Sequence, residues 1–277
     1  MTYLRNRARQ EEIFNGVLDL SVEVYDHYLR ALDSLATRDL VDLQTQVLAG
    51  LLHRGADLHA TVFACGRREA FQTAARMGLR ALSELCAEVG YLLANNVDEK
   101  CRTFVRHQLG KDQKLQEAVC RNERGHPQSQ IGRRIENSIL GKREEASHGE
   151  DFRAPPLGAH WSGLSAERLF EEAGLARFYG FTYVPMSGYV HSSWDDIIKN
   201  RFEAYVEPPR LRVRVAEMVC PQILEASVFC SLWLLERLLP ALRLGPFPQF
   251  RSHEDITTDL HHWIEVHEVE LAAESEE

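Results

Sequence analysis

ILEASVFCSLWLLERLLPALRL occupies residues 223–244 and is the most apolar run of the chain. Its reading decides the fold, because roughly 20 uninterrupted apolar residues would be enough to span a membrane. Glu225, Glu236, Arg237 and Pro240 interrupt it. Charges at that density are expensive in hydrocarbon but ordinary at the margins of a buried helix. The run therefore predicts a core helix of a water-surrounded bundle, and no membrane partner is expected.

Helical periodicity extends outward from this run in both directions. In GVLDLSVEVYDHYLRALDSL (16–35), Val17, Leu18, Val22, Tyr25, Leu29 and Leu32 fall on one broad face. RDLVDLQTQVLAGLLHRG starts a second helix. A third is expected from about Asp57 to Leu93, with an irregularity at Cys65–Gly66 and a stop at Asn95–Asn96. A fourth covers about 99–119. Later, WSGLSAERLFEEAGL opens with Ser165 as an N-cap, and Glu167 suits the first turn. IIKNRFEAY reads as helix, RLRVRV alternates like a short isolated strand, and Leu260, Trp263, Ile264 and Leu271 predict a last amphipathic helix in the acidic tail, 254–277. The expected fold is all-α: one domain over 1–277, a bundle of about seven to nine helices. The segment 121–156 is polar and punctuated by Gly and Pro, with a short helix expected in RRIENSILGKREE. It reads as an excursion from that domain, because the same helical character resumes after it.

Composition narrows the function. With 44% hydrophobic and 26% charged residues, the 277-residue chain can bury a core without disulfides. Its net charge of −9 argues against a surface built throughout for nucleic acid, while leaving room for a local basic groove. Six cysteines, none in a C-x-x-C pair, and an N-terminus without an apolar signal region predict reduced thiols and a cytoplasmic protein. No Gly-rich phosphate loop, nucleophile elbow or dinucleotide fingerprint occurs, and no cofactor is expected.

Two constellations carry chemistry. In MSGYVHSSWDD (186–196), a helix beginning near Pro185 would align Ser187, His191 and Trp194 on one face. In RMGLRALSELCAEVGYLL (76–93), Phe71, Ala75, Leu82, Cys86, Val89 and Leu93 form an apolar face, and Arg76, Arg80, Glu84, Glu88 and Tyr91 another. A solvated face and a satisfied structural histidine are the plain alternatives. Together, Arg80-x-x-x-Glu84, Trp161, Tyr183 and Ser187-Gly-Tyr-Val-His191-Ser-Ser resemble a bacterial all-helical family catalogued as a domain of unknown function. The resemblance runs over about 47–198. It implies that Arg80, Glu84, Tyr183, Ser187 and His191 meet in space, and it carries no activity.

The groups themselves suggest a metal-independent site for a phosphate-bearing ligand. His191 would be the general acid–base, Arg80 the anion clamp, Glu84 the orienting group, and Tyr183 and Ser187 would position them. The concrete expectation is an RNase-type effector of a bacterial toxin or defence system. The alternative is a non-catalytic binding or regulatory protein in which the same residues form a buried network. Helical HEPN-type ribonucleases are weakly similar, using R-x(4–6)-H on a helix within a dimer. Arg54/His59, Arg102/His107, Arg121/His126, Arg143/His148 and Arg153/His160 match literally, about as often as chance provides. Only Arg102/His107 lies on a predicted helix, and a homodimer could set it across a twofold axis. His191 has no Arg at that spacing. Arg121, Arg124, Arg133, Arg134, Lys142 and Arg143 form a basic run that suits RNA phosphates but has no aromatic residues for stacking. The histidines of HEDITTDLHHWIEVHEVE lack metal-ligand spacing, and no metal is expected.

Overall fold

The computed structural model describes residues 6–68, 71–122, 130, 132–135, 137–138, 141, 160–190, 220–245 and 247–275. Helices α1 (Arg7–Ala36), α2 (Leu43–Gly66), α3 (Gln72–Ala94) and α4 (Val97–Asn122) come first. The short α5 (Ala166–Glu172) and α6 (Ala176–Phe178) follow, and a π-helical stretch (Tyr179–Tyr183) joins α6 to α7 (Val184–Val190). α8 (Pro221–Ala241) and α9 (His253–Ser275) complete the bundle. The fold is a single all-α domain, with no strand among the described residues. RLRVRV, IIKNRFEAY, Trp194 and His191 lie outside them.

The run that opened the sequence reading becomes α8, buried along most of its length between α1, α2 and α3. Asn6 and Asp42 cap α1 and α2 by accepting hydrogen bonds from Arg9 N and Thr45 N. Two expectations are corrected. The second helix runs through Asp57 to Gly66, and α3 begins at Gln72; the irregularity expected at Cys65–Gly66 marks the end of α2. In α1 the core takes Val17, Leu20, Val24, Tyr28 and Ala31, and leaves Val22 and Leu29 exposed. Apolar periodicity placed the stripe about one residue off. It could not register that His27 and Ser21 also belong inside.

The core contains a polar node. His59 of α2 is fully buried. Its Nε2 donates to the Ser21 carbonyl of α1 at 2.9 Å, which leaves Nδ1 to accept from Ser231 Oγ at 2.9 Å and from Ser227 Oγ at 3.2 Å on α8. Three helices thus meet on one neutral imidazole with its tautomer fixed. Burial holds its pKa down at about 4.

α9 closes the bundle against α1 and α8. Ile256 and Leu260 enter the core, and His267 Nδ1 meets Glu225 Oε1 at 3.1 Å in a buried contact. Arg9 pairs with Glu270, and Arg251 with Glu23 and Asp259. Gly16 is required here: a Cβ at that position would overlap the Trp263 indole. The last helix of the sequence reading is therefore a docked element. No helix among the described residues is long and apolar enough to cross a membrane.

Gly16→Ala is expected to destabilise the protein by about 1–3 kcal/mol through overpacking. Urea denaturation checks this, and adding Trp263→Leu should recover most of the loss. The His59 node makes a second prediction. Between its unfolded value of 6.5 and its folded value of about 4, only the unfolded state takes the proton. Stability should therefore fall as pH drops through that window, by on the order of 3 kcal/mol from this group. His27, His107 and His253, also held low by burial, act in the same direction. Denaturation midpoints at pH 7 and pH 4.5 should show a clearly shallower pH slope in His59→Leu, although that variant is less stable at pH 7.

Candidate functional site

The outward face of α3 carries Arg76, Arg80, Glu84 and Glu88, each four residues from the last, so they form one row along the helix. The opposite face, with Ala75, Leu79, Leu82, Cys86 and Val89, is committed to the core. Two segments cover the polar row: the rod 176–190, and the turn at 160–165 that leads into α5.

The rod has a local cause. Pro185 has no N–H to give, and its ring crowds the carbonyl four residues back. In the turn just before it, Val184 N–H reaches Tyr179 O, a five-residue spacing. This widened π turn, a feature that is enriched at functional sites, orients Tyr183 and Ser187 over α3. The sequence reading had a helix start at Pro185. Instead the helical rod passes through it.

Arg80 is the centre of the row. Its Nε donates to Ser187 Oγ at 3.0 Å and its Nη2 to Tyr183 Oη at 2.9 Å. Ser187 Oγ in turn donates a hydrogen bond to the Tyr183 carbonyl, one turn earlier, at 2.8 Å. The remaining nitrogen, Nη1, lies 3.7 Å from Glu84 Oε2, an ion pair beyond hydrogen-bond distance. The Tyr183 ring is buried against Phe170 and stacked on Tyr179. The Arg80 side chain keeps 19% of its exposure and that of Glu84 keeps 35%, so the row is open along one edge.

The row extends both ways. Arg76 is 2% exposed, with its guanidinium carbon 4.6 Å from the centre of the Tyr189 ring. Of the two readings open for this face, the buried one holds at Arg76. At the other end, Glu88 accepts from Trp161 Nε1 at 3.3 Å and faces His160 Nε2 at 3.4 Å. Ser162 N–H donates to His160 Nδ1, so the imidazole proton sits on Nε2 and points at Glu88. The Phe104 ring packs on Trp161. His107 of α4 is nearby and buried, with Nε2 making no hydrogen bond. Burial lowers its pKa, and Lys111 and His160 lower it further.

Of the five residues singled out by the sequence, the structure brings Arg80, Glu84, Tyr183 and Ser187 together. His191 follows the last residue of α7 and lies outside the described residues. Sequence reasoning missed His160, which appeared only in a chance Arg/His match, and gave Glu88 no partner. Their signal was weak: a Glu one turn beyond Glu84, and a His beside the Trp161 that the resemblance had marked. In Arg102/His107 the two side chains diverge, with Arg102 pairing to Asp98 at 3.0 Å and His107 turned inward. Within one chain they form no common site. Arg121, Arg133 and Arg134 are exposed, whereas Arg124, Lys142 and Arg143 lie outside the described residues. Among the described residues no group of three or more His, Cys, Asp or Glu could hold a metal ion.

Fold and polar row together define a class: an all-α bundle whose central helix buries one face and holds an Arg/Glu row under a π-broken rod. Over residues 47–204 the chain matches the profile of a family of unknown function, DUF5677, and it belongs to that family. The match carries no HEPN-type assignment. No curated protein and no solved structure matches the chain.

A double-mutant cycle on Arg80→Met and Tyr183→Phe should give a coupling of about 1–2 kcal/mol in urea denaturation, as for a hydrogen bond to a charged group. Additive losses would mean that the two groups do not interact. Ser187→Ala should couple to Arg80→Met with the same sign.

Proposed function

We propose that this chain is a metal-independent ribonuclease-type enzyme, an effector of a bacterial toxin or defence system, acting over the Arg80 row of α3. One observation carries the proposal. Tyr183 and Ser187 hold the Arg80 guanidinium on two sides, while Nη1 stands 3.7 Å from Glu84 Oε2, beyond hydrogen-bond distance, on a side chain that keeps 19% of its exposure. An arginine fixed in this way is prepared to take a phosphate oxygen without losing side-chain freedom on binding. His191 directly follows Val190 in the chain and supplies a group that titrates near neutral pH.

The chemistry balances without a metal. His191 removes the proton of a ribose 2′-hydroxyl, and the 2′ oxygen attacks phosphorus. Arg80 neutralises the charge that gathers on the phosphoryl oxygens. The bond to the 5′ oxygen breaks, and that oxygen takes the proton back from the His191 imidazolium, giving a 2′,3′-cyclic phosphate and a 5′-hydroxyl. Glu84 orients the cationic pair, and Tyr183 and Ser187 position the guanidinium. Arg121, Arg124, Arg133, Arg134, Lys142 and Arg143 would contact the RNA backbone.

A second reading rests on a different feature of the same contacts. Arg80 ties α3 to residues more than a hundred positions away in the chain, through a tyrosine that is largely buried. On that reading the row is an internal fastener of a non-catalytic binding or regulatory protein.

Wild type, His191→Ala, Arg80→Ala and Arg80→Lys should be compared for cleavage of total bacterial RNA in EDTA, with thermal melts on the same samples. The enzyme reading expects cleavage that falls by about 10²–10⁴ in His191→Ala at unchanged Tm. Arg80→Lys should keep part of the activity. Absence of cleavage, with Tm strongly lowered in both Arg80 variants, would select the fastener.

A further inference from the structure

A cavity of about 440 Å³ lies at the C-terminal end of α8, away from the Arg80 row and outside the family span. Its volume falls in the roughly 300–1,000 Å³ range typical of small-ligand pockets. Leu235 and Leu239 of α8 and Leu244, Phe247 and Phe250 of the connecting loop give it apolar walls. His27 and His253 add their rings to the wall, edge-on to each other with centres 4.8 Å apart. Burial lowers the pKa of both imidazoles, so the pair is uncharged at neutral pH.

The wall is built to hold its shape. α8 ends with Leu244 N–H reaching Leu239 O at 2.8 Å around Arg243, which adopts φ +53° without being glycine. Arg38 of the α1–α2 connection bonds the Leu242 carbonyl and fixes this turn from outside.

Two charged side chains line the cavity, Arg251 and Glu236. Arg251 is already engaged, by the carboxylates of Glu23 and Asp259 and by the Asp255 carbonyl. Glu236 is exposed, which sets it at the rim, and among the described residues it makes no hydrogen bond or ion pair. Its sequence neighbour Arg237 acts on it only through space. That guanidinium lies 3.7 Å over the Trp233 ring and donates to the Trp233 carbonyl. Glu236 is therefore an uncompensated negative charge at the edge of an apolar space. The last turn of α8, a helix of 21 residues, borders the same space and carries the negative end of the helix dipole.

We propose that this cavity binds a small molecule with a hydrocarbon body and one ammonium head, the body filling the apolar space and the head held at the rim by Glu236. The charge pattern selects this class. An anionic head would meet Glu236 and the helix end, in a chain whose net charge is −9. A neutral head would leave the carboxylate without a partner. An ammonium head pairs with Glu236 at the rim and stays partly in water, so it is not stripped of its hydration inside the apolar space.

Calorimetric titration of the full chain at pH 7.5 and low ionic strength, with 2-phenylethylamine, 2-phenylethanol and 3-phenylpropanoate, tests this. The alcohol is more hydrophobic than the ammonium ion, so a preference for the amine must come from its charge. The amine should bind about fivefold or more tighter than the alcohol, the scale of one rim carboxylate plus a helix terminus, and the acid more weakly than either. Glu236→Gln changes an exposed side chain and should weaken the amine by about fivefold while leaving the alcohol within roughly twofold. Gly245 lines the cavity, and a Cβ there meets no atom within 4 Å. Gly245→Trp should therefore fold with wild-type Tm and weaken amine and alcohol alike by about tenfold. Alcohol or acid binding as tightly as the amine, no amine binding by the folded wild type, or unchanged amine binding in folded Glu236→Gln or Gly245→Trp would overturn the proposal.

Discussion

Everything in this bundle is referred to one buried imidazole. His59 accepts from one helix and donates to another, so α1, α2 and α8 can meet in only one register without leaving a polar atom unsatisfied. Leu and Val side chains would pack about as well with α8 shifted by a turn, because apolar contact is non-directional. The hydrogen bonds of His59 are directional and would be lost. Tyr28, also fully buried, lies beside the same node, its ring 6.1 Å from that of His59. The node fixes the platform on which α3 lies, and α3 then presents its polar row at a defined height and angle to the rod above it.

α3 shows how a single helix divides its duties. Its small residues let neighbours come close: a Cβ at Gly90 would meet both Ala173 and Trp233. Its leucines and Cys86 fill the core. What remains is a stripe of ionic side chains that must be partnered by other segments, and the turn at 160–165 and the rod 176–190 bring Trp161, His160, Tyr183 and Ser187 to it. The stripe was legible in the sequence because four-residue spacing of charge on an otherwise apolar helix is a local property. Of its partners, Trp161, Tyr183 and Ser187 were legible only through the family resemblance, since nothing local links residue 80 to residue 187, and His160 was not legible at all.

What stayed illegible shares a physical reason. Period-3.6 patterning counts apolar residues, so it placed the buried stripe of α1 by its leucines and valines. It missed that Ser21 and His27 face inward, because polar residues go inside only when tertiary partners exist. For the same reason the pattern left open whether Arg76 is solvated or buried. The break between the second and third helices was placed at 55–57, well before α2 ends at Gly66, because Gly55 after Arg54 reads as a stop signal although tertiary packing carries the helix through it. The π turn before Pro185 depends on how a helix absorbs a missing donor, and the sequence marks only the proline.

The sharpest contrast is between two histidines that no sequence pattern would separate. His27 and His59 are both buried on helices and both held below the ordinary imidazole range by desolvation. One has every nitrogen matched by serines and a carbonyl. The other has neither nitrogen in a hydrogen bond of normal geometry, and its ring lies at the wall of a cavity. A desolvated imidazole with complete partners contributes to one register and needs nothing more. Without partners it is a standing cost to the fold. Burial alone therefore does not sort structural histidines from functional ones. The completeness of their hydrogen bonds does, and by that measure the Arg80 row lies between the two, satisfied toward the rod and open toward solvent.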